Sequence, residues 1–178
     1  MLLFISCVLC AGAGALEVTG AAAAGGGPAA GAKTLTLSGA LEIGGVSLKA
    51  GAVVMPVTEY KGRTYSDVKL LSKDLYARID ACLSKGACAG RPPFAEPEVK
   101  LDGLKALNSK TRVANADVVF DGELLVTAGV MKSSGEPGEI WISWPAVIKF
   151  KAPALKARAE ELVKARYAKV PGKSQKGK

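Results

Sequence analysis

The stretch Ala-Asp-Val-Val-Phe-Asp-Gly-Glu-Leu-Leu-Val, residues 116–126, decides the fold class of this chain. Two runs of apolar and β-branched side chains, at 113–119 and 123–126, flank the pair Asp121-Gly122. An Asp-Gly pair between two such runs is favoured in the tight turn of a β-hairpin, because both residues tolerate a positive φ. The stretch therefore predicts two antiparallel strands joined at residues 121–122.

The sequence on either side extends this antiparallel sheet and then adds a helix. The helix is predicted to begin near Pro153, where a missing N–H costs little, and Leu155, Ala159 and Val163 follow at helical spacing. The remaining strands of the second half are predicted at 99–104, 130–131, 140–144 and 148–150.

The first half shows the same kinds of element. Residues 34–37 and 41–48 alternate as half-buried strands do, and the Gly-Gly pair inside the second run predicts a bend or bulge. Ser72 is a suitable N-cap for a helix that ends at Gly86. Further extended pieces are predicted at 52–55 and 65–70, a turn at 61–63, and a flexible low-complexity loop at 20–32.

The two halves align with each other. Residues 68–75 match residues 148–155 without a gap, and the two helices continue in register. A repeated plan of strands followed by a helix indicates duplication of a small α+β domain. The predicted order is a signal-like apolar leader at 1–15, a first copy at 16–86 that contains the loop at 20–32, a linker at 87–96, a second copy at 97–170 and a basic disordered tail at 171–178.

Two stretches carry a resemblance to a known family. Residues 116–126 are similar to the central hairpin of the SpoVG (stage V sporulation protein G) septation-regulator family. Met55-Pro56 and the run at 62–68 resemble that family's Met-Pro strand end and its following Gly-x-x-x-Asp-Ile passage. The matching parts together extend over roughly residues 16–85 and 97–169.

The resemblance implies an architecture and a function. SpoVG-like proteins are small α+β domains, each an antiparallel sheet with a C-terminal helix, that form homodimers and act as nucleic-acid-binding regulators linked to septation, cell division and sporulation. Two tandem SpoVG-like domains would thus form a pseudo-dimer within one chain, with DNA or RNA as the partner. The chain departs from the family where Val57-Thr-Glu-Tyr-Lys61 replaces the basic stretch that follows the Met-Pro strand.

The net charge of +8 equals that of the last thirty residues, which contain ten Lys/Arg and two Asp/Glu. On the last predicted strand and helix these basic side chains can contact phosphates and release counterions. The other interpretation is an ordinary solvated helix face. The predicted nucleic-acid-binding residues are Lys149, Lys151, Lys156, Arg158, Lys164 and Arg166.

The chain contains no histidine, which removes the commonest general base and the commonest metal ligand. A Ser or Cys nucleophile would lack its usual base, and the glycines at 25–27 lack the Lys-Ser/Thr that follows in a phosphate-binding loop. We therefore expect no catalytic site, no metal site, no cofactor and no small-molecule substrate.

The first fifteen residues and the cysteines bear on the compartment. Residues 1–15 are apolar or small, too few to span a bilayer, and end in Ala13-Gly14-Ala15, as a secretory signal does, although no Lys or Arg precedes Lys33. We expect a periplasmic or secreted protein with no integral membrane span if the leader acts as a signal, and a cytoplasmic one otherwise. The two cysteines at 82 and 88 would close a disulfide in an oxidising compartment and remain small, partly buried thiols in a reducing one.

The two tryptophans lie on one alternating strand and point to opposite faces. Trp144 shares its face with Ile140 and Ile142 and is predicted in the core. Trp141 is predicted at the interface between the two copies, with stacking on a base as the alternative. Two functions remain open: a SpoVG-like nucleic-acid-binding regulator, or an exported structural or protein-interaction module that uses the duplicated scaffold without nucleic acid.

Overall fold

The computed structural model describes residues 14–23, 31–89, 93–133 and 139–170. Within these ranges the chain forms two helices, two five-stranded antiparallel sheets and one two-stranded hairpin, so the predicted α+β class with antiparallel sheets is confirmed. The elements are β1 Val18–Ala23, β2 Lys33–Leu37, β3 Leu41–Lys49, β4 Ala52–Val54, β5 Thr58–Tyr60, β6 Arg63–Tyr65, β7 Val68–Leu70, α1 Lys73–Lys85, β8 Val99–Ala106, β9 Arg112–Phe120, β10 Leu124–Lys132, β11 Ile140–Ser143, β12 Ile148–Phe150 and α2 Pro153–Ala168.

The two large sheets have the same strand order, and each contains one strand from the other half of the chain. The first sheet has the order β1-β2-β3-β12, with β4 also on β3, and the second has β8-β9-β10 with β7 and β11 on β10. Thus Ile148 pairs with Ile43, and Val68 pairs with Val126. Each half therefore gives its last strand, the one before its helix, to the sheet built by the other half.

Hydrogen bonds outside the regular strands recur at corresponding positions in the two halves. The recurrence shows that the hairpin turns, the exchanged strands and the entries to the sheets are arranged alike. The corresponding pairs, each written from N–H donor to carbonyl acceptor, are Ser38 to Glu17 with Asp121 to Glu98, Lys151 to Ala40 with Leu71 to Glu123, and Gly44 to Val147 with Thr127 to Asp67.

The hairpin predicted at Asp121-Gly122 is confirmed by the pairing of β9 with β10. Both turn residues have positive φ, 49° and 69°, as the favoured two-residue hairpin turn requires. The first half has the same turn at Ser38-Gly39, which the sequence analysis did not single out. Ser38 and Asp121 each tolerate the left-handed conformation while their side chains accept a hydrogen bond from the backbone N–H of Glu17 and Glu98, respectively.

The first helix begins and ends where the sequence predicts. The hydroxyl of Ser72 accepts hydrogen bonds from the N–H groups of Asp74 and Leu75, and Gly86 ends the helix with a φ of 68°. The second helix begins at Pro153, has no side-chain cap at its N-terminus, and continues to Ala168.

Two stretches of the first half differ from the prediction. Gly20–Ala23 do not form a loop, because their backbone pairs with β2 from Thr36 to Lys33, and main-chain pairing needs no apolar periodicity. The extended piece predicted at 65–70 is also divided: β6 pairs with β5 in a separate hairpin, whereas β7 crosses to the second sheet. The bulge predicted at the Gly-Gly pair of β3 is present as a register shift against β2.

One hydrophobic core extends through both halves. The helices contribute Leu75, Ile79 and Cys82 from α1 and Leu155, Ala159 and Val163 from α2. Most of the predicted leader (1–13), part of the low-complexity loop (24–30), part of the linker (90–92) and the predicted tail (171–178) lie outside the described residues.

Candidate binding surfaces

Half of the six basic residues predicted to bind nucleic acid are paired with carboxylates of the protein itself. Lys151 lies 3.3 Å from Glu42, Lys156 lies 3.7 Å from Glu160, and Arg158 lies 2.6 Å from Glu96. These are exposed pairs that contribute little to stability, but each lowers the net positive charge at its position.

The other three, Lys149, Lys164 and Arg166, are exposed and form no ion pair with the described residues. The six side chains also do not share one face. Lys156 and Arg158 are two residues apart on a helix, a rotation of about 200°, and they pair on opposite flanks of α2, with Glu160 and with Glu96. Lys156 and Arg158 therefore lie on different faces of α2, and nucleic-acid binding by the six residues remains a prediction.

A groove of about 590 Å³ lies between strand β8 and helix α2. Leu101, Leu104 and Leu162 form its apolar wall, and the side chain of Leu162 is 38 % exposed. Its basic rim consists of Lys100, Arg166 and Lys169, and Asp102 also lies along it. Because β8 is the last strand of its sheet, the groove runs beside a free sheet edge.

The corresponding position in the first half, between β1 and α1, is covered by the chain itself. After Gly86 the chain turns back, and the N–H of Ala89 donates a 2.7 Å hydrogen bond to the carbonyl of Val18 on the edge strand β1. Cys88 is joined to Cys82 of α1 by a disulfide, with a Cα–Cα separation of 4.4 Å. The open space that remains there is smaller, about 380 Å³.

In the second half no described residue covers the equivalent position between β8 and α2, and the greater length of α2 explains the difference. Val99 corresponds to Val18, since each pairs with the last strand residue before its hairpin turn, Phe120 or Leu37. No described residue donates a hydrogen bond to Val99 as Ala89 does to Val18. Helix α2 continues one turn beyond the point where α1 ends, with Arg166 in place of Gly86, so the chain does not turn back onto β8 there.

A polar cluster joins the beginning of the first half to the central hairpin of the second. The guanidinium of Arg78 donates to both carboxylate oxygens of Glu123, at 2.7 and 2.6 Å, and to the carbonyl of Leu16 at 3.1 Å. Burial alone would raise the pKa of Glu123, but hydrogen bonds from Arg78, Leu16 and Ser72 outweigh it and lower that pKa. Arg78, Glu123 and the main chain of Leu16 thus bind one another, as is typical of a cluster that stabilises the fold.

Asp121 lies close to this cluster, but its pKa is shifted in the opposite direction to that of Glu123. Burial raises its pKa, and the nearby carboxylates of Glu123 and Glu98 add to the rise, although the hydrogen bond from the backbone N–H of Glu98 opposes it. Glu123 is thus bound by Arg78, whereas the charges near Asp121 are the carboxylates of Glu123 and Glu98 and the ammonium of Lys100.

The tryptophans differ in environment. Trp144 packs edge-on against Phe150 at a ring separation of 4.8 Å and donates from Nε1 to Glu160 at 3.1 Å. Trp141 lies on the edge strand β11 opposite Met131 and is 50 % exposed. Its place at a contact between the two copies remains a prediction.

The groove could not be predicted from the sequence, because Leu162 lies beside Val163 and fits the apolar repeat of α2. The difference appears when the two helices are compared. Leu162 of α2 corresponds to Cys82 of α1, and Cys82 is covered by the disulfide and the segment 86–89. Such a difference between two halves becomes visible only once the folded positions of both are known.

No protein-family model matches this chain, and neither a curated protein nor a solved structure matches it significantly. Within the described ranges, no three or more Cys, Asp or Glu side chains are grouped so as to hold a metal ion. Neither helix of the described part is long and apolar enough to cross a membrane.

Proposed function

We propose that this protein is a non-enzymatic binding module that holds an extended, acidic segment of a partner protein in the groove between β8 and α2. The observation that carries the proposal is the difference between the halves: a chain segment covers the edge of β1, whereas no described residue covers the same edge at β8. An open edge beside an apolar wall is the arrangement by which an added strand is bound in peptide recognition.

The groove residues divide the work of recognition. The free edge of β8, with the carbonyl of Val99, accepts main-chain hydrogen bonds from the added segment. Leu162 and its neighbours take an apolar side chain, and Lys100, Arg166 and Lys169 favour carboxylates on the segment. Lys100 is shared with Glu98 at 3.0 Å, so Arg166 and Lys169 contribute most of the charge selection.

We propose further that the chain is a pair of SpoVG-like copies forming a pseudo-dimer within one chain. The common strand order, the exchange of β7 and β12, and the recurring hydrogen bonds favour a duplication. The disulfide between Cys82 and Cys88 favours an oxidising compartment, periplasmic or secreted, over the cytoplasm. In this proposal the segment 86–89, which the disulfide holds, keeps the corresponding position between β1 and α1 closed.

A peptide titration tests the proposal. The probe is a fluorescein-labelled octapeptide in which Glu alternates with Val or Leu, and the comparison peptides replace Glu by Lys or carry alternate N-methylated amides. We expect fluorescence anisotropy to rise with the acidic peptide alone. The double variant Arg166→Glu/Lys169→Glu is expected to weaken binding at least about tenfold, equal to about 1.4 kcal/mol.

The matched control is Lys149→Glu/Lys164→Glu, which changes the net charge by the same amount away from the groove. Equal loss of binding in both double variants would mean that only overall charge attracts the peptide, and would contradict a specific groove. Binding that survives N-methylation would contradict addition to the β8 edge.

Nucleic acid is the second candidate, favoured by Lys149, Lys164 and Arg166, which are exposed and form no ion pair within the described part of the chain. In that case the chain is a SpoVG-like regulator of septation and sporulation type. We expect anisotropy with short DNA and RNA to fall steeply as salt rises, and the triple change of these residues to Ala to reduce the salt slope. Absence of binding at low salt would exclude this candidate.

A further inference from the structure

Leu16 lies near the start of the described residues, yet both its side chain and its main chain are held by other parts of the protein. Its side chain is fully buried, whereas Ala15 before it is exposed. Its N–H donates a 2.8 Å hydrogen bond to Oε2 of Glu123, and its carbonyl accepts from Nε of Arg78. The main chain of one residue is thus clamped between a carboxylate and a guanidinium.

The sequence places a processing signal at the same point. Ala13-Gly14-Ala15 has the small-x-small pattern that precedes a signal-peptide cleavage site, so the bond expected to be cut is Ala15–Leu16. The nitrogen that such a cut would free is the atom that lies 2.8 Å from Glu123. Two independent observations, one from sequence and one from contacts, therefore meet at one atom.

We propose that the protein is processed between Ala15 and Leu16, and that the new α-ammonium group of Leu16 forms a salt bridge with Glu123. In the step, water hydrolyses the Ala15–Leu16 amide during export, the leader leaves with a carboxylate on Ala15, and the amine on Leu16 takes a proton. The endopeptidase that removes secretory leaders supplies the catalysis.

The charges around the site favour an ammonium group. Three carboxylates, those of Glu123, Asp121 and Glu98, lie together with two cations, Arg78 on Glu123 and Lys100 on Glu98, so the group has one negative charge in excess. A Cβ at Gly14 would lie 3.7 Å from both carboxylate oxygens of Asp121, so the chain just before the cut bond passes close to that carboxylate. One added ammonium group would balance the cluster.

The second half of the chain provides an internal comparison. There the residue corresponding to Leu16 is Pro97, which has no N–H, and the residue corresponding to Glu123 is the buried Ala40. A carboxylate that accepts from the nitrogen of this residue is thus present only in the first half, whereas in the second half Arg158, the counterpart of Arg78, pairs with Glu96. If the carboxylate of Glu123 served only to bind a backbone N–H, we would expect the second half to have the same N–H and carboxylate pair.

This inference rests on the proposed export but not on the groove, so its failure leaves the peptide titration unaffected. Its first test is the intact mass and N-terminal sequence of protein recovered from an exporting host. A chain that begins at Leu16 is the expected result, and a chain that begins elsewhere overturns the proposal.

The second test compares the processed protein with a form that retains Gly14-Ala15, in which the nitrogen of Leu16 is an amide. We expect the processed form to unfold at a Tm at least about 3 °C higher. The change Glu123→Gln should remove that difference, whereas the control Glu161→Gln, on the exposed side of α2, should keep it. Equal Tm values for the two unsubstituted forms would contradict the salt bridge even if the variant failed to fold.

Discussion

Two acidic residues of the central hairpin, Asp121 and Glu123, contribute to stability with opposite sign. Hydrogen bonds from Arg78 and its neighbours hold the pKa of Glu123 below its usual value, against the effect of burial. Burial and neighbouring carboxylates hold the pKa of Asp121 above its usual value. Two positions separated by one glycine therefore respond differently to loss of charge.

The change Glu123→Gln is expected to lower the free energy of unfolding by about 2 kcal/mol at pH 7, because Arg78 is left without its charge partner. A carboxyl with a depressed pKa in the folded state stabilises above its unfolded pKa, about 4.3, and loses this effect as the pH falls through the folded value. Urea denaturation of both proteins at pH 7 and in acid measures this. A difference that stays constant down to pH 3 would contradict the assignment.

Asp121→Asn is expected to raise the Tm at neutral pH. A carboxyl with a raised folded pKa is destabilising when ionised, and its protonation as the pH falls stabilises the fold. Asn keeps an oxygen for the N–H of Glu98 and tolerates the positive φ of the turn. Thermal unfolding measures the change, with Asp121→Ala as control, since Ala loses the acceptor and should lower the Tm.

At the scale of elements, the two helices share a plan but differ at both ends. Helix α1 has the Ser72 cap and the Gly86 stop, whereas α2 begins after Ala152 without a side-chain cap and continues a turn further. Sequence patterns predicted both helices and the central hairpin, because caps, spacing and turn residues are local signals. They did not predict Gly20–Ala23 as a strand, because its pairing with β2 leaves no trace in side-chain type.

Substitutions at the N-cap positions of the two helices are expected to change the free energy of unfolding in opposite directions. Ser72→Ala is expected to lower the free energy of unfolding by about 1 kcal/mol, since two N–H groups lose their acceptor. Ala152→Ser should raise it, by up to about 1 kcal/mol, because Ala152 already has the extended conformation of an N-cap. Chemical denaturation of both variants measures the effect, and a loss of stability in Ala152→Ser would contradict it.

At the scale of the whole molecule, the exchange of β7 and β12 makes the halves depend on each other. Alternation of apolar residues predicts that these segments are strands, but it does not say which sheet receives them. The same limit applies to the groove, whose openness follows from the length of α2 and the return of the chain after α1. Neither property can be derived from one half alone.

The exchanged strands predict a single cooperative unfolding transition for the intact chain. Residues 14–89 and 93–170, produced as separate polypeptides, are each expected to lack a stable sheet, because each then lacks the strand that pairs with β3 or β10 and its half of the shared hydrophobic core. Circular dichroism should show folding only after the two are mixed. Separate halves that each unfold cooperatively would contradict the dependence.

The claim that the open edge of β8 is a binding site has one most direct test: hydrogen exchange of the intact protein, with and without the acidic octapeptide. The account predicts slower exchange on β8 and on the last two turns of α2, and no change on β1, where the segment 86–89 already covers the edge. Protection confined to Lys149 and its neighbours on β12, or spread evenly over the surface, would contradict the account.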